Sequence, residues 1–95
     1  MGKFGWHSGY VHAQNIQSGL VDVSTDENGD GSASITFPAV FKSVPAITGN
    51  ANEQDITGSV SFKDVTTGSA TVVVDGSSVT SGTLTVGYIS VDYSA

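Results

Sequence analysis

The chain is built from short runs in which apolar and polar residues alternate, each closed by Gly, Ser, Asp or Pro. In "SASITFP", Ala33, Ile35 and Phe37 point one way, Ser34 and Thr36 the other. Side chains swap faces at every residue only in a β-strand, so a period of two commits a run to a half-buried strand. No window carries the 3.6-residue apolar period of an amphipathic helix. Composition points the same way. Ser and Thr supply 24 residues and Val 13, while charged residues make up 13%. Val and Thr favour strands, and Gly with Ser favours turns. The chain is predicted to be all-β.

The strands can be placed from the same alternation. "NIQSGLVDVS" (Asn15–Ser24) sets Val21 and Val23 on one face, Leu20 and Asp22 on the other. Pro38 ends the second strand because it has no N–H for the ladder. In "AVFKSVPAITGNAN", Phe41 and Val44 read as core plugs beneath a connection, and Pro45 leads into a third strand around Ala46–Ala51. "ITGSVSFKDV" puts Ile56, Gly58, Val60 and Phe62 in register. "SATVVVDGSS" turns Ala70, Val72 and Val74 inward before an Asp75-Gly76 turn. The last run, "GTLTVGYISVDYS", changes parity: Leu84, Val86 and Tyr88 are even, Ile89, Val91 and Tyr93 odd. A bulge near Gly87 reconciles the two halves. Six strands with short connections predict two small antiparallel sheets packed face to face. Leu20, Val73, Ile89 and Val91 fall off the main parity, which gives them a purpose if one sandwich face is a subunit contact.

At 95 residues this is one domain. A chain of this size buries roughly 60–65% of its unfolded surface. It has no Cys, so neither disulfides nor thiolate chemistry is open to it. The net charge is −6, with three Lys and no Arg. That balance argues against nucleic acid, whose binding rests on neutralised phosphates, and against an anionic membrane surface. No apolar run approaches the ~20 residues that span a bilayer. The first residues lack the apolar core of a signal peptide.

The first fifteen residues differ from the rest. The only Trp, both His and three of the eight aromatics fall within the first twelve positions. Burying Phe4, Trp6 or Tyr10 would contribute ~1.5–3 kcal/mol each, and Trp and Tyr are enriched at interface hot spots. Residues 1–15 are therefore predicted to be a docking arm, carried by Phe4, Trp6, His7, Tyr10 and His12, with the sandwich in 16–95; another chain is the preferred partner, and Trp6 covering the open end of its own core is the alternative. His7 and His12 have no third ligand nearby to make a metal site. No nucleophile elbow is present, and an enzyme is not expected.

"DENGDG" (Asp26–Gly31) matches the first half of a calcium loop, with Asp26, Asn28 and Asp30 alternating and Gly31 at the bend. A full loop needs a bidentate Glu at its twelfth position, and Phe37 stands there. A β-turn, with Asn-Gly and Asp-Gly supplying positive φ, is the preferred reading. Calcium at Asp26, Asn28 and Asp30 is the alternative.

From Ile16 onward the pattern resembles the H-type lectin domain and the related modules that recur in bacteriophage and archaeal-virus fibre and tail proteins. The resemblance is carried by "NIQSGLVDV", "ITFPAVFKSVPAI", "VSFKDVTTGSATVVV" and "TVGYISVDY", in that order, over about 80 of the 95 residues. It implies a six-stranded antiparallel β-sandwich that assembles as a homotrimer, binds ligands at one end between neighbours and has no enzymatic activity. Lectin members contact sugar through an Arg on the fourth strand and a Trp-His pair between the fifth and sixth. Here "ITGSVSF" holds no Arg and "DGSSVTSG" no aromatic. Asp26, Asn28 and Asp30 are left as the candidate ligand-binding residues, since the equivalent loop of lectin members carries an acidic sugar contact. The expected function is a virion structural protein: a trimeric capsid-decoration, fibre or tail-appendage module at the virion surface, held to other virion proteins by its arm. The alternative is an adhesion module recognising host surface glycan.

Overall fold

A computed structural model describes residues 15–93. The predicted arm residues Phe4, Trp6, His7, Tyr10 and His12 lie outside the described residues.

Six strands follow one another: β1 (Ile16–Ser24), β2 (Gly31–Thr36), β3 (Ala46–Ala51), β4 (Ser59–Lys63), β5 (Ser69–Asp75) and β6 (Thr83–Val91). They form two three-stranded sheets, β1-β6-β3 and β2-β5-β4. Every strand pair is antiparallel. Among the connections only β4–β5 is a hairpin within one sheet; the other four pass from one sheet to the other. The sandwich and its six strands stand as the alternation predicts, except that β4 begins at Ser59: Ile56 and Gly58, the latter with φ 112°, belong to the connection before it, because that backbone conformation cannot continue the strand. No helix among the described residues is long and apolar enough to cross a membrane.

The inner faces meet in one core of Val23, Ile35, Phe37, Phe41, Ala70, Val72, Val74, Leu84 and Val86. Phe37 and Phe41 pack edge to face with ring centroids 5.1 Å apart, an arrangement that aligns the positive edge of one ring with the negative face of the other. Of the two residues predicted to plug the core beneath the 37–45 connection, Phe41 does so, but Val44 is 60% exposed. Pro45 is buried in its place, because the chain must extend into β3 and turns Val44 outward as it does.

The predicted bulge near Gly87 is absent. β6 pairs with β1 without a break from Ile16↔Val91 to Ser24↔Thr83, and with β3 from Ala46↔Val91 to Ala51↔Val86. The even parity simply continues inward through Tyr88 to Ser90, which is fully buried. Ser90 tolerates that position because its hydroxyl donates to the Gln17 carbonyl at 2.9 Å. A buried polar atom with a partner carries little penalty. Ile89 and Val91 point to the outside of the sheet, and the apolar residues that suggested a bulge belong to a second surface instead.

The inner face is graded along its length. Val23, Leu84 and Val86 fill one end. At the other, Asn15, Gln17, Ser90 and Asp92 are all buried polar groups. Gln17 accepts from the Ala39 N–H at 3.0 Å and donates to the Ala39 carbonyl at 2.6 Å, holding the 37–45 connection as a neighbouring strand would. Asp92 accepts from the Ser43 hydroxyl at 2.7 Å and the Ser43 N–H at 3.1 Å. The Asp92 N–H donates to the Asn15 carbonyl at 2.8 Å.

Candidate functional site

Strand alternation gives each sheet an outer face, and the two differ in chemistry. On β2-β5-β4 the outer positions are Ser32, Ser34 and Thr36, then Ser69, Thr71, Val73 and Asp75, then Ser59, Ser61 and Lys63. On β1-β6-β3 they are Ile16, Ser18, Leu20, Asp22 and Ser24, then Thr83, Thr85, Gly87, Ile89 and Val91, then Ala46, Thr48 and Asn50. The first face is hydroxyl-rich. The second carries most of the exposed bulky apolar side chains of the strands.

Three connections converge at one end of the polar face. The turn after β1 is organised by Asp26, whose Oδ1 accepts from the N–H groups of Asn28 at 2.8 Å and Asp30 at 2.9 Å. Its carbonyl accepts from the N–H of Gly29 at 3.0 Å and of Ser81 at 2.7 Å. Gly29 has φ 77°, and a Cβ there would stand 2.1 Å from the Ser77 carbonyl oxygen. Both conformation and space therefore require glycine. The Gly29 carbonyl accepts from the Ser77 N–H at 3.0 Å, and Asp30 Oδ1 accepts from the Gly76 N–H at 2.7 Å. The 51–58 connection joins them through the Ser78 N–H, which donates to the Thr57 carbonyl at 3.0 Å.

This is the construction of a β-turn clasped to its neighbours. Of the three residues with calcium-loop spacing, Asp26 faces the turn's own N–H groups and Asp30 the β5–β6 loop, while Asn28 sits exposed at the tip. Among the described residues no three His, Cys, Asp or Glu side chains gather to hold a metal ion. Asp30 meets Asp75 instead. The hydrogen bond from Asp75 to Asp30, and then the charge of Asp30, hold the Asp75 carboxyl above its ordinary value, because one shared proton relieves two facing carboxylates.

Beside the clasp lies an open cleft of about 510 Å³, lined by Asp26, Asp30, Ser32, Ser59, Ser61, Lys63, Val73 and Asp75 among others. Its hydroxyls, carboxylates and one ammonium can hydrogen-bond a polyhydroxylated ligand. It lacks the aromatic platform that usually meets the apolar side of a sugar ring. The loop residues Asp26 and Asp30 were foreseeable as candidates. Lys63, Ser59, Ser61 and Asp75 were not singled out, although they occupy outward parity on their strands and the sequence carries that signal.

The other outer face is shaped by Leu20, 64% exposed, and Ile89, 45% exposed, with Ile16 and Val91 beside them and Tyr93 just past β6. Two hollows flank Ile89. One, of about 460 Å³, is lined by Ser18, Thr48, Gly49, Asn50, Gly87, Tyr88 and Ile89. The other, of about 210 Å³, lies toward Ala46, Val91 and Tyr93. Three of the four off-parity residues, Leu20, Ile89 and Val91, thus share one surface; Val73 lies on the opposite sheet and lines the polar cleft.

No family model matches the chain, and neither a curated protein nor a solved structure was found that resembles it.

Proposed function

We propose that the chain is a non-enzymatic structural module that assembles as a homotrimer on the surface of a virus particle, as capsid decoration or as part of a fibre or tail appendage. The observation that carries the reading is the contrast between the two outer faces. A three-stranded sheet with one face on the core needs only one apolar side. β1-β6-β3 has two, the second displaying Ile16, Leu20, Ile89 and Val91. Clustered apolar side chains on an outer surface mark contacts with other proteins. The place on a virion rests on the H-type lectin-like pattern, and Phe4, Trp6, His7, Tyr10 and His12 supply the tie to other virion proteins. Light scattering of the purified protein should give the mass of three copies. Deleting residues 1–15 should leave the strand circular dichroism unchanged and abolish attachment to the particle. Full attachment by the truncated protein would overturn the assignment.

The polar cleft favours a second reading, a glycan-binding adhesion module. Asp26, Asp30, Lys63 and the serines around them offer both donors and acceptors within one concavity. A glycan array probed with and without calcium tests it, and silence in both conditions eliminates it.

A further inference from the structure

The outer face of β1-β6-β3 is uneven in a self-complementary way. Leu20 and Gly87 are register partners on adjacent strands, so the most exposed apolar side chain of the strands stands next to a position with none. A Cβ built on Gly87 would meet only Leu20 Cδ2 at 3.5 Å and Asn52 Oδ1 at 3.8 Å. A side chain at Gly87 therefore fits without a clash, in ordinary contact with Leu20, and the hollow lies above it on the outer face; the Cβ direction of Gly49 points the other way, into the Gly87 carbonyl and the Phe62 ring. The hollow is more than large enough for a leucine or isoleucine side chain, and it is bordered by a protruding Ile89.

Charge decides what can approach. The chain carries −6 overall, yet Asp22 is the one charged residue in β1, β3 and β6. Asp22 lies toward one end of the face, where the Thr85 hydroxyl donates to it at 2.7 Å. Two copies that repel one another everywhere else can meet here without facing like charges. A basic partner would gain nothing from this face, whereas an equally uncharged apolar one loses no solvation.

We propose that this face is the contact between copies of the chain, with Leu20 and Ile89 of one copy seated in the hollow over Gly87 of the next. The proposal deepens the reading of the protein as an assembling module and rests on it. Strands spaced ~4.8 Å apart, two of them ~30 Å long and β3 ~20 Å, present roughly 380 Å². That is about half of the ~800 Å² that each partner buries in a standard interface, so association through this face depends on concentration.

The test uses the full chain and three single variants, measured by light scattering over a range of concentrations, with circular dichroism and Tm as the check on folding. Gly87→Val fills the hollow, and because glycine weakens a strand interior, its Tm should equal or exceed that of the wild type measured as monomer. Leu20→Ser removes the projecting side chain. Val73→Ser alters the opposite face. The expected result is that Gly87→Val and Leu20→Ser remain folded and lose the oligomer, at least tenfold in apparent association constant, while Val73→Ser keeps it. A wild-type chain that is monomeric at every concentration overturns the assembling-module reading and this proposal together. An oligomer that survives both Gly87→Val and Leu20→Ser, or that Val73→Ser dissolves equally, leaves that reading standing and overturns the face assigned here.

Discussion

The Tyr88 ring lies across the backbone of Gly19, its register partner on β1: a Cβ built on Gly19 would stand 2.8 Å from the Tyr88 hydroxyl oxygen and 3.1 Å from Cζ. On the opposite flank Tyr88 pairs with Gly49, so the bulkiest residue of β6 has glycine on both neighbouring strands. The ring also approaches Phe37, with centroids 6.5 Å apart, and helps to close the core. Gly19→Ala must therefore displace the ring or the strand. Overpacking of this kind costs about 1–3 kcal/mol. Chemical denaturation should show that loss in the wild-type background and a much smaller one with Tyr88→Leu. An equal loss in both backgrounds would mean that the ring is not what Gly19 accommodates.

Gln17 reaches across the sandwich to both backbone groups of Ala39. Gln17→Ala deletes both bonds to the exposed Ala39, whose N–H and carbonyl water can then reach. Two such bonds contribute about 0.5–1.5 kcal/mol each. Stability should fall by that amount, and amide exchange should accelerate first at Ala39. If Ala39 exchange is unaltered, the connection is held by Phe41 and Asp92 alone.

These two residues show how far the sequence could be read. The "QSG" of β1 is visible as a motif, but its reasons are tertiary: Gln17 answers a loop 22 residues away, and Gly19 answers a ring on β6. The period-two alternation, by contrast, is a local consequence of strand geometry, and it placed six strands and most of the core. It also carried the outward parity of Leu20 and of Lys63. It failed at Ser90, where a serine occupies an inward position because a carbonyl on the adjacent strand accepts its hydroxyl, and no alternation rule anticipates that bond. The apolar residues left over at Ile89 and Val91 then looked like a change of register, when they belong to a second surface.

Asp75 gives a pH signature. The hydrogen bond to Asp30 and the charge of Asp30 raise its folded-state pKa above the ordinary 3.8, so the folded protein holds this proton to higher pH than the unfolded chain does. The stabilisation is complete below the unfolded value and is lost as pH rises through the raised one. At neutral pH the two carboxylates face each other. Asp75→Asn replaces the repulsion with an amide donor and should raise Tm at pH 7, with the advantage shrinking to nothing below about pH 4. Paired melting curves from pH 3 to 8 check this; an advantage that is flat across the range would place its origin elsewhere.

Asp26 separates a turn from a metal loop. Its Oδ1 is engaged by the N–H groups of Asn28 and Asp30, and its backbone ties the turn to Gly29 and Ser81. A calcium ion at this loop would have to draw the Asp26 carboxylate away from two donors and recruit ligands that the turn does not gather. As a turn former, Asp26→Ala should cost about 1 kcal/mol, the ordinary worth of a side chain capping free N–H groups. Because the same turn anchors the β5–β6 loop through Asp30, exchange should quicken at Gly76 and Ser77 as well. Millimolar calcium or excess chelator should leave the wild-type Tm where it is, since a ligand that binds only the folded state stabilises it by mass action. A calcium-dependent rise in Tm that Asp26→Ala removes would instead show that the loop rearranges around the ion, and that the clasp seen here is its metal-free form.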